Sequence, residues 1–286
     1  MKRALVTGDQ GFIGAHISGA LAQAGYDVAG ADLLDGFDVR RNMAYLGQYD
    51  VVVHCAAAVV TTAAKAAASV GVAANLAIDA ALFEWAAQVQ PGRLVYFSSS
   101  CAYPARLSER AGLQLSESDI DLQEPRWPDG IYGWVKLTGE QLAAAAREAG
   151  VPVTVVRPFS VYGPGMKGGF AFRSFAEQVQ SRADPAEIWG DESQVRDFIH
   201  IFDVAAAVLR IVTDGVEGPV NLGTGTGTSL DELMTMMTTA AGYKPAVVVN
   251  SSRPAGLHRL VADPARLNSF CPPQVTLRDY IAKLKW

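Results

Sequence analysis

The chain has 286 residues, of which 50% are hydrophobic and 19% are charged. It is therefore expected to fold as one large or two modest globular domains and not to be disordered. The net charge of −5 argues against a general nucleic-acid-binding protein.

Cysteine usage and hydropathy favour a cytoplasmic protein. Cys55, Cys101 and Cys271 are odd in number, widely spaced and without a C-x-x-C pair, as in reduced compartments. The apolar run after Lys2 and Arg3 is too short for a signal peptide. No uncharged apolar run approaches the about 20 residues that span a bilayer, so no membrane partner is expected.

A glycine-rich turn is the first functional pattern. A short buried strand, Ala4–Val6, precedes Gly8, Gly11 and Gly14, and a helical pattern runs from Ala15 to about Ala24. Glycines between a strand and a helix allow a tight turn and close approach of the backbone to a pyrophosphate at the helix N-terminus. An ordinary glycine-rich turn is the alternative, but this context predicts dinucleotide binding.

An acidic residue follows at the distance expected for a nicotinamide cofactor. The second predicted strand, Tyr26–Ala31, ends at Asp32, about 20 residues beyond the glycines. A carboxylate there binds the ribose hydroxyls of NAD and repels the 2′-phosphate of NADP. Arg40 and Arg41 lie nearby and are candidates to receive a phosphate. We predict NAD in preference to NADP.

The rest of the first half alternates between strands and helices. The predicted elements are the strand Asp50–His54, the helix Thr61–Val89 with Asn75 inside it, the strand Arg93–Phe97, a helix around Tyr132 that ends near Glu148, and the strand Val151–Arg157. Such alternation predicts an α/β fold, a Rossmann-type doubly wound parallel sheet that binds ligands at the carboxyl ends of its strands. The glycine turn, Asp32, the alanines after His54 and the serines after Phe97 all fall at that edge. His54 itself is interpreted as structural.

Tyr132 and Lys136 are the candidate catalytic pair. Residues four apart lie on one face of a helix, one turn from each other. A nearby ammonium lowers the pKa of a phenol, which can then take a proton from a hydroxyl while hydride leaves the same carbon. This spacing alone is common, and a solvated helix face is the alternative; the neighbouring patterns favour catalysis.

The pattern loosens after Arg157, which suggests a second unit. We predict a dinucleotide-binding domain over 1–157, with a return segment near 201–235 that includes a helix from Asp203 to about Thr213. Residues 158–286 are predicted to form mainly a smaller substrate-binding lobe. Ser229 and Glu232 are predicted to cap another helix.

With these residues in place, the chain resembles the extended short-chain dehydrogenase/reductase family, which comprises nucleotide-sugar epimerases and dehydratases. The resemblance is carried by the glycine turn, Asp32, the serine run and Tyr132/Lys136, together with His54–Ala57, Arg157-Pro158, Arg196–His200, Asn221–Gly223 and Arg259. It implies bound NAD, a nucleoside-diphosphate sugar between the lobes, and a homodimer formed through helices for which Leu76–Trp85 and Leu137–Ala146 are candidates.

The resemblance also implies roles for individual residues. Ser99, Tyr132 and Lys136 would be catalytic, and no metal site is implied. NAD would lie against Gly8, Gln10, Gly11, Phe12, Ile13, Gly14, Asp32, Asp38, Val39, Ala56, Ala57, Asn75, Ser98, Tyr132, Lys136 and Pro158. The sugar nucleotide would lie against Ser99, Ser100, Tyr132, Ser160, Lys167, Trp189, Arg196 and Arg259, with the two arginines on the diphosphate. Trp189 would stack on a base or fill core.

Two segments are similar to the GDP-mannose 3,5-epimerase branch: Ser99–Pro104 and the loop Met166–Gly169. In that branch the cysteine and lysine exchange protons beside a transient 4-keto group, which would give these roles to Cys101 and Lys167. A ketone acidifies neighbouring C–H bonds, and a thiolate on one face with an ammonium on the other can invert the centre.

Other activities remain open. In a 4-epimerase, Cys101 would be a bystander. Asp32 disfavours an NADPH-dependent 4-ketoreductase. A 4,6-dehydratase is less expected, because no acidic pair follows Ser99. A non-catalytic relative is disfavoured by the presence of Ser99, Tyr132 and Lys136 together.

Overall fold

The computed structural model describes residues 1–58, 65–253 and 256–286, with side chains described from Ser69 onward in the second range. The strands in these ranges are β1 Arg3–Thr7, β2 Asp27–Ala31, β3 Val51–His54, β4 Leu94–Phe97, β5 Val153–Pro158, β6 Ser160–Tyr162, β7 Ala186–Trp189, β8 Val195–His200, β9 Val220–Leu222, β10 Gly227–Ser229, β11 Val247–Asn250 and β12 Arg259–Leu260. The helices are α1 Phe12–Gln23, α2 Val39–Asn42, α3 Lys65–Val89, α4 Gly130–Glu148, α5 Ala171–Gln180, α6 Ile201–Asp214, α7 Leu230–Ala240, α8 Ala265–Asn268 and α9 Leu277–Lys283.

The larger sheet has six strands in the order β2-β1-β3-β4-β5-β9, and every adjacent pair is parallel. Successive side chains of a strand point to opposite faces. Accordingly, Ala4 and Val6 pack with α1 and α6 on one face, whereas Leu5 packs with α3 and α4 on the other. The predicted Rossmann-type fold is confirmed. The strand order reverses between β1 and β3, where such sheets bind ligands.

Most predicted elements are present, with shifted ends. Helix α1 begins at Phe12, inside the glycine turn, and not at Ala15. The predicted helix Thr61–Val89 is described from Lys65 onward, and residues 61–64 lie outside the described residues. The glycine turn is shorter than its sequence pattern suggests because its last glycine is already helical.

The smaller lobe is built from the C-terminal half of the chain. Strands β6, β8, β10 and β12 form one sheet, and β7 pairs with β11. The lobe has its own core, in which α5, α7 and α9 pack together. Helix α6 and strand β9 return to the larger sheet, but α7, which the predicted return segment included, belongs to the smaller lobe. Ser229 caps α7 in a capping box with Glu232, as predicted.

Helix α3 is unusually apolar. Among the described residues, its segment Ser69–Val89 is the one that is long and apolar enough to cross a membrane by length and composition, with a mean hydropathy of 1.3. This is weak evidence for a membrane span, because core helices of globular proteins meet the same criterion. The segment also carries Asp79, a buried carboxylate that is hydrogen-bonded to β4.

A buried ion pair ties α4 to the sheet. Arg157 donates to both carboxylate oxygens of Glu140, at 3.0 and 2.7 Å, and both side chains are 2% exposed. Ser98 at the end of β4 donates to the same carboxylate at 2.5 Å. This contact holds the helix that carries Tyr132 against β4 and β5.

We predict that Glu140→Gln lowers the free energy of unfolding by about 3–5 kcal/mol, because it leaves the buried Arg157 cation without its counter-charge. The exposed pair Arg173–Glu177 provides the control: Glu177→Gln should cost less than about 1 kcal/mol. Urea denaturation measures both. Equal losses of unfolding free energy in Glu140→Gln and Glu177→Gln would contradict the stabilising role assigned to the buried pair.

Candidate active site

The glycine turn forms a close-packed cradle at the end of β1. The Gly11 N–H donates to the Gly8 carbonyl at 3.0 Å. A Cβ atom added to Gly14 would lie 2.1 Å from the same carbonyl oxygen, so no larger residue fits there. Gln10, Phe12 and Ile13 belong to the same turn. The open N-terminus of α1 suits a pyrophosphate.

Acidic groups lie beside this turn. Asp32 accepts from the Gln10 N–H at 3.2 Å and from the Leu34 N–H at 2.9 Å. Asp38 accepts from the Arg40 side chain at 2.8 and 2.7 Å, and this hydrogen bond holds the pKa of Asp38 below its usual range. Arg40 is therefore already paired, which favours NAD over a 2′-phosphorylated cofactor.

Several other predicted cofactor residues lie in or after the neighbouring strands and helices. The Ala56 N–H donates to the Thr7 hydroxyl at 3.3 Å. Asn75 binds both backbone groups of Ala58, at 2.7 and 2.9 Å, so its amide shapes the loop after β3. Val39 is buried at the start of α2, and Ala57 and Pro158 lie at the ends of β3 and β5.

Ser99 and Lys136 are held in place by backbone groups. The Ser99 hydroxyl, just after β4, accepts from the Cys101 N–H at 3.1 Å. Lys136 is 3% exposed; its ammonium donates to the Phe97 carbonyl at 3.0 Å and lies 5.2 Å from the centre of the Tyr96 ring. Lys136 is thus fixed by the last residue of β4, and Ser99 by the turn that follows it.

Tyr132 lies one helical turn before Lys136 on α4 and is half-buried. Burial raises the pKa of its phenol, and the nearby Cys101 and Asp79 raise it further. The sequence predicted that Lys136 would lower this pKa. In the protein without ligands the pKa is instead raised. Because the phenol is neutral here, the site needs additional positive charge before Tyr132 can act as a base.

A buried network surrounds the Lys136 ammonium. Tyr96 donates to Asp79 at 2.6 Å, Asp79 lies 3.5 Å from His54, and His54 shares a 2.8 Å hydrogen bond with Thr7. Burial acts to raise the pKa of Asp79, but Lys136 and His54 hold it below its usual value. The network connects the lysine on α4 to the end of β1 beside the glycine turn.

Cys101 lies between groups of opposite charge. The Asp129 N–H donates to the Cys101 carbonyl at 3.0 Å, and both the Asp129 and the Arg196 charges affect the pKa of the Cys101 thiol. Burial, reinforced by Asp129, raises the pKa of Cys101 to about 11, against the opposing effects of Ser99 and Arg196. Ser99, Cys101 and Tyr132 therefore lie close together.

The predicted substrate residues of the smaller lobe do not form a single cluster. Arg196 donates to Gln194 at 2.8 Å. Arg259 pairs in register with Val195, so Arg196 and Arg259 point to opposite faces of the sheet, and Arg259 donates to the Leu113 carbonyl at 3.1 Å. The structure does not bring the two predicted diphosphate ligands together.

The other predicted substrate residues vary in exposure. Ser100 is buried and Ser160 is half-buried on β6. Lys167 is exposed on the loop before α5, and no hydrogen-bond or ion-pair partner for it occurs among the described residues. Trp189 is 41% exposed at the end of β7, so it is available for stacking and does not fill core.

Two residues of this region were missed. Asp129 lies three positions before Tyr132, a spacing that places residues on one helix face and could have identified it. Arg253 lies with its guanidinium 4.5 Å from the centre of the Trp189 ring. No local pattern indicated that contact, because 64 residues separate the partners in the chain.

Comparison with known proteins identifies the family. Residues 4–223 match the family described as the NAD dependent epimerase/dehydratase family. The chain belongs to this family. The cofactor is NAD, and the residues present fit it: Gly14 keeps the cradle open, Asp32 lies at its edge, and Arg40 is paired. Relatives of this epimerase/dehydratase-family protein are nucleotide-sugar epimerases and reductases.

Three relatives illustrate the range of activities. dTDP-4-dehydro-6-deoxy-D-allose reductase of Streptomyces sp is 30% identical, over 93% of this chain and 90% of that protein. GDP-mannose 3,5-epimerase 1 of Oryza sativa subsp. indica is 28% identical, over 81% of this chain and 66% of that protein. UDP-glucose 4-epimerase of Thermus thermophilus, solved with NAD, superposes with a TM-score of 0.83 at 26% identity, over 98% of this chain and 96% of that one.

We predict that Gly14→Ala weakens NAD binding at least about tenfold, since the new Cβ must displace the Gly8 backbone that shapes the cradle. Gly19→Ala is the matched control, because Gly19 is exposed on the same helix and has no atom within 4 Å of an added Cβ. Isothermal titration of NAD into both variants measures the effect. Wild-type affinity in Gly14→Ala would contradict the assigned cradle.

Proposed function

We propose that the protein is an NAD-dependent nucleotide-sugar epimerase that acts through a transient 4-keto-sugar and exchanges a proton at C3 or C5. The observation that carries this proposal is the position of Cys101 beside Ser99 and Tyr132. Oxidation and reduction at C4 require only the serine, tyrosine and lysine. A thiol within the same cluster supplies a further proton-transfer group.

The C4 chemistry is assigned to α4 and the end of β4. Tyr132 takes the proton of the C4 hydroxyl, Ser99 donates a hydrogen bond to the C4 oxygen, and Lys136 supplies positive charge beneath the pair. The residues of the glycine-turn cradle would hold NAD, which would supply the hydride acceptor and donor for C4 and a positive charge that favours the phenolate form of Tyr132. The resulting ketone acidifies the adjacent C–H bonds.

The nucleoside diphosphate is assigned to the face of the smaller lobe that carries Arg196. A guanidinium provides forked donors for diphosphate oxygens. Arg253 and Trp189 form an exposed cation–aromatic pair, which suits an anionic group or the flat face of a base. Lys167, exposed on its glycine-rich loop, is proposed as the second proton-transfer group.

A 4-ketoreductase is the second candidate. It is favoured by the 30% identity to dTDP-4-dehydro-6-deoxy-D-allose reductase over 93% of this chain. Such an enzyme would consume an NDP-4-keto-sugar and one equivalent of reduced cofactor and would not need Cys101. The two candidates therefore differ in whether solvent protons enter the sugar carbon chain and whether NADH or NADPH is consumed.

We expect deuterium at C3 or C5 when the holoenzyme is incubated with NDP-hexoses in D2O without added reductant, read by NMR and mass spectrometry. Cys101→Ser should reduce this incorporation at least about 100-fold, the size of a general acid–base contribution, while NADH still forms from bound NAD. Cys271→Ser, a change in a half-buried cysteine outside the site, should leave incorporation unchanged.

The alternatives give different products. A new epimer without deuterium would mean a hydride-only 4-epimerase and contradict the role of Cys101. No turnover of NDP-hexoses, combined with reduction of an NDP-4-keto-sugar by NADH or NADPH, would establish the reductase in place of the epimerase.

We also propose a cytoplasmic homodimer that associates through α3 and α4. The outward face of α3 carries Val70, 71% exposed, and Leu76, 40% exposed, an apolar surface that a second copy would cover. We predict that Leu76→Glu shifts the protein from dimer to monomer in sedimentation velocity. Val248→Glu, at a similarly exposed valine of β11, should not. A wild-type monomer would refute the proposal.

A further inference from the structure

Asp9 is an acidic residue inside the glycine turn, directly after Gly8. Its carboxylate lies against strand β2 at Gly30. A Cβ atom added to Gly30 would lie 2.1 Å from one carboxylate oxygen of Asp9 and 2.8 Å from the other. The Asp9 carboxylate therefore occupies the space that a side chain at position 30 would fill.

This space lies on the same face of β2 as the side chain of Asp32. Side chains two residues apart on an extended chain point to the same face, about 7 Å from each other along the strand. Strand β2 ends at Ala31, and Asp32 continues it with extended backbone angles, φ −127° and ψ 147°. The carboxylates of Asp9 and Asp32 are thus neighbours on this face.

Hydrogen bonds on both sides of Asp9 join the glycine turn to the end of β2. The Gly8 N–H donates to the Ala31 carbonyl at 2.8 Å. The Gln10 N–H donates to the Asp32 carboxylate at 3.2 Å. Because these bonds flank Asp9 in the chain, its backbone is fixed beside the acidic end of β2.

The protein around Asp9 compensates its charge incompletely. The Oδ1 atom of Asp9 is buried and accepts no hydrogen bond among the described residues. Burial raises the pKa of Asp9, and the Asp32 and Asp35 carboxylates add to the rise, whereas the backbone N–H groups of Asp9 and Ala31 oppose it. A carboxylate oxygen without a donor does not stabilise a fold, so the field of its negative charge is the contribution left to explain.

We propose that Asp9 is a second specificity-determining residue of the cofactor site and that its charge, added to that of Asp32, excludes cofactors with a 2′-phosphate. An acidic residue at the position of Asp32 binds the ribose hydroxyls of NAD. A 2′-phosphate adds about 1.5 to 2 negative charges to that ribose, which both carboxylates repel. Nearby Arg40 is paired with Asp38 at 2.7 Å and so offers this phosphate no free cation.

The alternative is that Asp9 only shapes the turn. The pyrophosphate is common to NAD and NADP, so a change in the shape of the turn alters the affinity for both cofactors alike. Repulsion of a 2′-phosphate alters the affinity for NADP alone. The ratio of the two dissociation constants, NADP over NAD, therefore separates the two roles.

The test measures this ratio at about pH 8, well above the ordinary carboxylate pKa of about 3.9, by displacing labelled NAD from the holoenzyme with unlabelled NAD or NADP. We expect a wild-type ratio of at least about 100. Asp9→Asn keeps the shape of the side chain and removes its charge, so it should lower the ratio at least about fivefold. Adding Asp32→Asn should lower the ratio further, because a second repelling charge is removed.

Asp27→Asn is the matched control, because Asp27 is an exposed carboxylate at the other end of β2. It lies about 16 Å from Asp32 along the strand, beyond the screening length of about 8 Å in physiological salt. Its substitution should leave the ratio unchanged.

A wild-type ratio near one, or an unchanged ratio in Asp9→Asn, overturns the proposal whatever happens to the affinity for NAD. If Asp9→Asn does not retain NAD, the same measurement is made on Asp9→Gly, which removes the carboxylate altogether. Loss of NAD from both variants would assign Asp9 to the shape of the turn and would also overturn the proposal. Displacement requires no sugar, so the outcome does not depend on whether the enzyme is an epimerase or a reductase.

Discussion

The ammonium of Lys136 is the buried charge on which the rest of the site depends. Burial of an unpaired ammonium costs roughly several kcal/mol of folding free energy unless hydrogen bonds and an opposite charge compensate for it. Here the Phe97 carbonyl accepts a hydrogen bond from it, the Tyr96 ring lies beside it, and the ionised Asp79 supplies the opposite charge. Since these partners come from β4 and α3, the lysine can be buried only when the sheet and both helices are assembled.

The same helix face carries the chemistry and its anchor. Tyr132, Lys136 and Glu140 follow one another at intervals of four residues, so they form one line along α4. Glu140 is fixed by Arg157 on β5 and by Ser98 just after β4. Two buried contacts further along the helix therefore position Tyr132. Because these contacts are made to the sheet edge that also carries Ser99, the two residues are fixed relative to each other.

Patterns that act over short distances in the chain could be predicted from the sequence. The glycine turn and the Tyr132/Lys136 spacing depend on one turn of backbone, and the alternation of strands and helices defines the parallel sheet. The register between strands could not be predicted from local patterns, because an offset of one residue decides the face of the sheet to which a side chain points. That is why Arg259 was paired with Arg196 although they lie on opposite faces.

The pKa values of the site residues could not be predicted from the sequence either, because they depend on burial and burial depends on the whole fold. Spacing alone suggested that Lys136 would lower the pKa of Tyr132, but in the folded protein burial raises it, and Cys101 and Asp79 add to that effect. Asp129 shows the intermediate case. Its spacing from Tyr132 was visible in the sequence, whereas its backbone hydrogen bond to Cys101 depends on how two loops pack together.

The position of Arg196 connects substrate binding to the state of the thiol. In the protein without substrate, its cation opposes burial and Asp129, which together raise the pKa of Cys101. A diphosphate bound to this guanidinium, as proposed, would neutralise that cation, and the pKa of the thiol would then rise further.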